Sequence, residues 1–219
     1  MSSLVQTTVT KARPGRRHDA VALGIEAAKL LERHGAADSR LLAADVAGEQ
    51  TGTHVFSTEF ESGEVWGEFN DSLAADAELE ALMNRVEGAD SPVDMVSMSL
   101  ANDIPLGRDG PDDRGAVLEA YISRVVPGRF DGALELATTV FDFVEAHGAS
   151  ACRLMQLTSA GMLTDCLVAT WELESMKALG RLGDAYGEAP EGHHILEVLS
   201  GAGAPITPVT SGIYRVIPL

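Results

Sequence analysis

Apolar and polar residues alternate near the start of this chain. Over residues 4–12, Val5, Thr7 and Val9 share one face, the period-2 pattern of a half-buried strand. Pro14-Gly15 breaks that pattern. From about Arg17 to Arg33, Val21, Ile25, Ala28 and Leu31, with Ala27 and Leu30 beside them, take helical spacing. His34-Gly35 ends the helix, because glycine just past a helix accepts the left-handed conformation. Two short alternating runs, about 39–47 and 53–61, are parted by Gly48-Glu49-Gln50-Thr51-Gly52 and predict a hairpin. A second helix is expected over about 63–87, broken near Asn70-Asp71. In its later part Leu79, Leu82, Met83 and Val86 sit at i, i+3, i+4 and i+7. Pro92 opens a last strand at about 93–104.

The same order recurs 113 residues later without a gap. Pro14-Gly15-Arg16 returns as Pro127-Gly128-Arg129, and Glu32, His34, Gly35 and Arg40 return as Glu145, His147, Gly148 and Arg153. Glu59, Glu61 and Ser62 match Glu172, Glu174 and Ser175, and Ile104-Pro105-Leu106 matches Ile217-Pro218-Leu219. A period this long marks a duplicated domain rather than a solenoid unit. The division is a first repeat at 1–106, a short polar linker at 107–115 and a second repeat at 116–219. Strand, helix, strand, strand, helix, strand is the split βαβ or ferredoxin-like unit. The fold class is therefore α+β: two tandem ferredoxin-like βαββαβ repeats. Each sheet carries helices on one face only, so each needs the other repeat to cover its second face.

Composition narrows the function classes. The chain has 33 acidic and 16 basic residues, a net charge of −17, which repels phosphate backbones and anionic lipid. No nucleic-acid or membrane partner is expected. No apolar run approaches the roughly 20 residues of a membrane span, and Met1-Ser2-Ser3-Leu4-Val5-Gln6 lacks the features of a signal peptide, so the cytoplasm is the expected location. Cys152 and Cys166 make neither a disulfide framework nor a metal spacing, and no metal is expected. No phosphate loop, nucleotide fingerprint or nucleophile elbow is present.

With this element order, the Pro-Gly-Arg turn into the first helix, and Glu-Ser followed by Trp66 at the second, the chain resembles the dimeric α+β barrel superfamily. That group includes antibiotic-biosynthesis monooxygenases, haem-degrading enzymes, NIPSNAP-like proteins and chlorite-dismutase relatives. The resemblance spans both repeats and implies that the two sheets close an intrachain dimeric α+β barrel. It implies a small-molecule enzyme of the cofactor-free monooxygenase or cyclase type, acting on an apolar organic substrate in a barrel or sheet–helix pocket. The alternatives are a haem-binding protein with His193 as axial ligand, or a non-catalytic binding or assembly module. Association of chains beyond the intrachain pseudo-dimer is left open. Haem-degrading members carry an Asn, a Trp and a His; Trp66 occupies the Trp place, but the trio is complete in neither half.

Candidate chemistry follows from strand position. Glu59 and Glu172 occupy matching mid-strand sites, where carboxylates are depleted. If they face the barrel interior, they are expected beside Gln6, Thr8, Thr10, Glu119, Tyr121 and Ser123. Two approaching carboxylates suit acid–base work; salt bridging to Arg40, Arg153 or Arg124 is the competing account. Glu172 and Tyr121, with Glu59 and His54 as further candidates, would transfer protons. Trp66, Trp171, Phe56 and Phe60 would line the substrate pocket. His54 shares a face with Phe56, Thr58 and Phe60, and its simpler reading is a partly exposed hairpin residue. His34 and His147 are read as helix caps, where an imidazole favours the C-terminal dipole.

Overall fold

The period-2 runs form strands and the period-3.6 runs form helices in the computed structural model, which describes residues 3–73, 75–107 and 114–219. Most of the linker expected at 107–115 lies outside the described residues. The first repeat contains β1 (Leu4–Ala12), α1 (Arg17–Arg33), β2 (Asp38–Val46), β3 (Thr53–Phe60), α2 (Gly63–Leu73), α3 (Ala77–Glu87) and β4 (Val93–Asp103). The second contains β5 (Val117–Val125), α4 (Phe130–Ala146), β6 (Ser150–Ser159), β7 (Leu167–Leu173), α5 (Met176–Glu188), α6 (Pro190–Ser200) and β8 (Ile206–Ile217).

The strands close a barrel in the order β1-β3-β2-β8-β5-β7-β6-β4. Each repeat supplies four strands, and two antiparallel seams join the repeats. One pairs β2 with β8, from Leu41 opposite Ile217 to Val46 opposite Ile213. The other pairs β4 with β6, from Leu100 opposite Ser159 to Asp103 opposite Met155. Closure leaves no long sheet edge to template aggregation. Alternation sends Val5, Thr7 and Val9 into the lumen and Leu4, Gln6 and Thr8 toward the helices.

Helix α1 packs on the stripe Ala20, Leu23, Ala28 and Leu30, while Val21 and Ile25 are only half-buried. The stripe is rotated from the expected one because Gly24 presses on Leu41: a Cβ there would lie 2.9 Å from a Leu41 methyl. The expected second helix is two helices, and its break falls later than Asn70-Asp71. Asn70 satisfies its own amide by donating to the Trp66 carbonyl at 2.7 Å, inside the helix. Asp76 instead starts α3, accepting from the amides of Glu78 at 2.8 Å and Leu79 at 3.0 Å as an N-cap. Both first helices of the repeats end at His34 and His147, followed by Gly35 and Gly148 at φ of 104° and 90°. His147 Nδ1 lies 2.7 Å from the Phe143 carbonyl, in keeping with its capping role.

The larger apolar core lies under the helices of the second repeat, around Phe141, Val144, Leu173, Leu182 and Ile195. Each such side chain contributes roughly 1.5–3 kcal/mol by leaving water. The first repeat divides its core into two smaller clusters, one around Leu23, Leu79 and Leu82 and one around Phe60 and Phe69. Among the described residues, no helix is long and apolar enough to cross a membrane.

Candidate functional site

The second repeat keeps an open space between its helices and its sheet. A cavity of about 400 Å³ is walled by Leu136, Val140 and Phe141 of α4, Leu196 and Leu199 of α6, and the outer faces of β5, β7 and β8. Its aromatic wall comes from cross-strand pairing. Glu119 stands opposite Trp171 and Tyr121 opposite Ala169, so Glu119, Trp171 and Tyr121 share the helix-facing side. Trp171 is 2% exposed and stacks on Tyr121 with ring centres 5.2 Å apart, and Phe141 meets it edge-on at 6.4 Å.

One carboxylate anchors this wall. Glu119 accepts from Trp171 Nε1 at 2.9 Å and from Tyr121 Oη at 3.0 Å. Burial pushes its carboxyl pKa up, and the Tyr121 and Trp171 donors offset only part of that rise. The Tyr121 phenol is also pushed up, by burial first and then by the Glu119 charge and hydrogen bond. Tyr186 of α5 lines the same cavity, and burial followed by the Glu119 charge raises its pKa as well. The two phenols therefore stay protonated, Tyr186 half-buried along the cavity and Tyr121 lining it while still 38% exposed. Glu119 and Tyr186 were not among the sequence-based site residues. The signal for Glu119 was present in the comparison of halves, because its counterpart 113 residues earlier is the neutral Gln6.

The first repeat fills the equivalent region differently. Gln6 accepts from Trp66 Nε1 at 2.7 Å, so the indole arrives from α2 instead of from the strand, where Thr58 replaces Trp171. Trp66 packs against Leu4, Phe60 and Phe69, with the two phenylalanine rings 5.0 Å apart. Trp66 and Phe60, expected to line a substrate pocket, are packing residues here. Phe56 is half-buried on the same face and lines neither this cavity nor the lumen.

His54 is not the partly exposed hairpin residue that its place in the sequence suggested. β3 runs between β1 and β2, with His54 between Thr10 and Ala43, and the side chain is buried at 4% exposure. Among the described residues its Nδ1 has no hydrogen-bond partner. Burial, with a smaller contribution from Arg17, lowers its pKa. A depressed histidine stabilises the fold above its unfolded pKa of about 6.5, and this stability is lost as pH falls through the folded pKa. His54→Leu, which installs the residue found at the matching position 167, is expected to flatten that acid-side loss. Melting temperatures of both proteins from about pH 8 to about pH 5 check it: the gap should widen on acidification, and parallel curves would remove His54 as the cause.

Glu59 and Glu172 do face the lumen, but in different company from that expected. Val5 pairs with Glu59 and Leu118 with Glu172, and directly paired residues share a face. Gln6, Thr8, Glu119 and Tyr121 therefore lie on the other side of the sheet. Glu172 and Tyr121 cannot serve one pocket. The carboxylates are instead held in reciprocal ion pairs across the two repeats. Arg40 grips Glu172 with Nη1 and Nη2, the latter bond at 3.0 Å, and the Gly115 amide donates to Glu172 at 2.7 Å. Arg153 binds Glu59 and also donates to Asp103 at 2.6 Å and Ser3 at 2.8 Å. Burial opposes the Arg153 charge, but Asp103 and Glu59 outweigh it and raise its pKa. The ion-pair account of these carboxylates is the one the geometry carries.

No protein-family model and no curated protein matches this sequence. Solved structures match along almost its entire length. An anthrone oxidase-like protein aligns with a TM-score of 0.58 and 17% identity, over 99% of this chain and 92% of its own. A protein of Fusobacterium nucleatum subsp. nucleatum ATCC 25586, a monooxygenase by assignment, aligns at 0.63 with 8% identity, over 99% and 93%. A haem-binding protein of Thermus thermophilus aligns at 0.57 with 9% identity, over 100% and 93%. The fold is the dimeric α+β barrel. This dimeric α+β barrel is closed within one chain, and at these identities the likeness is one of fold.

The comparison overturns the expectation of a protein without cofactor. A haem-binding protein and chlorite dismutases share the architecture of this barrel, so haem is the cofactor the fold brings into question. The residues present do not fit it. His193, the expected axial ligand, is exposed, and its Nε2 lies 2.6 Å from the Gly187 carbonyl. Helix α6 turns Leu196 and Leu199 toward the cavity, and none of the six histidines lines it. Of the oxygen ligands known for haem iron, the cavity offers the phenols of Tyr121 and Tyr186, and the Tyr121 hydroxyl is already bonded to Glu119.

Proposed function

We propose that this barrel is a small-molecule enzyme of the oxidase or monooxygenase type. It acts on a flat, hydroxylated aromatic molecule in the second-repeat cavity. The observation that supports this most directly is the Glu119 carboxylate held behind the Tyr121 phenol, at the polar end of an otherwise apolar and aromatic space. Apolar pockets with few, well-placed polar groups are the usual form of small-molecule sites. The fold neighbours assigned as anthrone oxidase-like and monooxygenase support the reaction class.

Tyr121 is the group that touches substrate. Its hydroxyl donates to Glu119, so its oxygen lone pairs remain free to accept from a bound C–H or O–H acid. As the substrate proton moves to Tyr121 Oη, the phenol proton passes to Glu119. The electron pair of the broken bond stays on the substrate and delocalises onto its ring oxygen. For an anthrone, dioxygen is the oxidant: one oxygen atom replaces the two methylene hydrogens and the other leaves as water. Trp171 and Phe141 supply faces and edges for stacking.

The test uses 1,8-dihydroxyanthrone in air-saturated buffer, followed by the absorbance of the anthraquinone and by oxygen uptake. One anthraquinone formed per dioxygen consumed is expected, together with quenching of Trp171 fluorescence. Tyr121→Phe should keep the quenching and slow turnover by about 10²-fold or more. Quenching without any turnover above the buffer rate would leave a binding protein rather than an enzyme.

A further inference from the structure

The lumen of the barrel lies across the sheet from the proposed active site and holds its own cavity, about 230 Å³ in volume. Val9, Leu42, Val55 and Leu118 pack as one apolar cluster along its wall. An apolar cavity of about 150 Å³ is enough to bind benzene, so this one accepts a molecule about half as large again. The Arg40–Glu172 and Arg153–Glu59 pairs line the lumen as well. Arg114 lines it too and meets Asp38 at 2.8 Å, so all three arginines are matched by carboxylates and none offers a free cation to an anionic ligand.

One phenol enters this lumen. Tyr214 of β8 turns its ring into the cavity, and among the described residues its hydroxyl has no hydrogen-bond partner. The ring is seated by a glycine two residues earlier. A Cβ at Gly212 would stand 2.7 Å from both Cε2 and the hydroxyl oxygen of Tyr214. The matching positions of the first repeat are Ser99 and Ala101, so the phenol and its seat occur together and once. Burial raises the Tyr214 pKa and keeps the hydroxyl a donor.

We propose that the lumen is a second small-molecule site, for a neutral, compact apolar ligand whose single carbonyl oxygen accepts a hydrogen bond from Tyr214. The sheet separates it from the cavity that holds Tyr121 and Trp171, and the two share only Thr210 and Ser211 of β8 among their lining residues. Methyl resonances distinguish the two. Val9, Leu42, Leu118 and Ile122 report on the lumen; Leu136, Leu167 and Leu196 report on the sheet–helix cavity.

The probes are 1-indanone and indane, which share a carbon frame and differ by the carbonyl. Titration of the methyl-labelled full chain with 1-indanone should shift the lumen set saturably. Tyr214→Phe, which keeps the ring, should weaken 1-indanone by about two- to tenfold, the worth of one hydrogen bond, and leave indane unchanged. Three results overturn the proposal: no saturable shift in the lumen set, shifts confined to the cavity set, or equal effects of Tyr214→Phe on both probes. None of them bears on turnover at Tyr121, so the two sites are judged separately.

Discussion

Arg40→Met lowers the stability of this barrel by about 3–5 kcal/mol, because it strips a buried carboxylate of its cation. The Glu172 side chain is only 4% exposed, and after the substitution it keeps the Gly115 amide as a donor but no longer a charge to match its own. For a chain of this size each kcal/mol shifts the melting temperature by roughly 2–4 °C, so a fall of about 6–20 °C is expected. The double variant Arg40→Met, Glu172→Leu removes both charges. It should recover most of the loss, since a buried ion pair is often no better than apolar residues of similar volume. Urea denaturation of the four proteins of the cycle measures the coupling. A single-variant loss below about 1 kcal/mol, the scale of an exposed pair, would show that water reaches the carboxylate.

Glu119→Gln should reduce turnover by about 10²–10⁴-fold while ligand affinity changes little. Glutamine keeps one oxygen for the Trp171 N–H and turns its NH2 toward the Tyr121 oxygen, which can accept, so the aromatic wall stays in place, but it cannot take a proton. The first repeat already carries this pairing in Gln6 and Trp66. The sign of the pH dependence follows from the raised Glu119 pKa. In the proposed reaction the active form is the carboxylate, so turnover should rise with pH through a midpoint above the ordinary carboxylate value of about 4.3. The same shift makes Glu119 favour the folded state at low pH. That contribution is complete below the unfolded pKa and is lost as pH rises through the folded one. Loss of the acid limb of the pH–rate profile in Glu119→Gln separates proton acceptance from a packing role. A variant that is slower but keeps the full profile would contradict it.

Much of the architecture was legible because it rests on local periodicity. Val5, Thr7 and Val9 share a face by geometry alone, and the 113-residue offset repeats every element. What one strand cannot reveal is its register with the next. The interior position of Glu59 was readable from Ser57 and Val55, but its true neighbour Val5 came only with pairing, and the faces of β1 and β5 were exchanged in consequence. The burial of His54 is hidden for the same reason: a residue beside a hairpin turn is exposed at a sheet edge and buried when strands flank it on both sides. The helix break was also readable in principle, since Asp76 two and three residues before Glu78 and Leu79 is an N-cap pattern. Asn70 drew attention instead, yet it bonds within its own helix.

The carboxylate Glu119 shows a different limit. Its neighbours Tyr121 and Trp171 were both noted, but the bond that joins them is made across two strands. The cavity itself follows from what the first repeat has and the second lacks, namely an indole on the second helix. Leu179 stands where Trp66 stands in the first half. The comparison of halves exposed that difference; only packing could say which side it left open.

Fusion of two repeats into one chain also changes what a single substitution can do. In an assembly of identical chains every change is made twice, once at each symmetry mate. Here Trp66 plugs one half while the other stays open, and Tyr214 enters the lumen while position 101 remains alanine. A symmetric pair would have to carry two plugs or none, and two phenols or none. Covalent linkage thus lets one half fill its space with its own side chains while the other keeps a cavity, a difference closed to a homodimer.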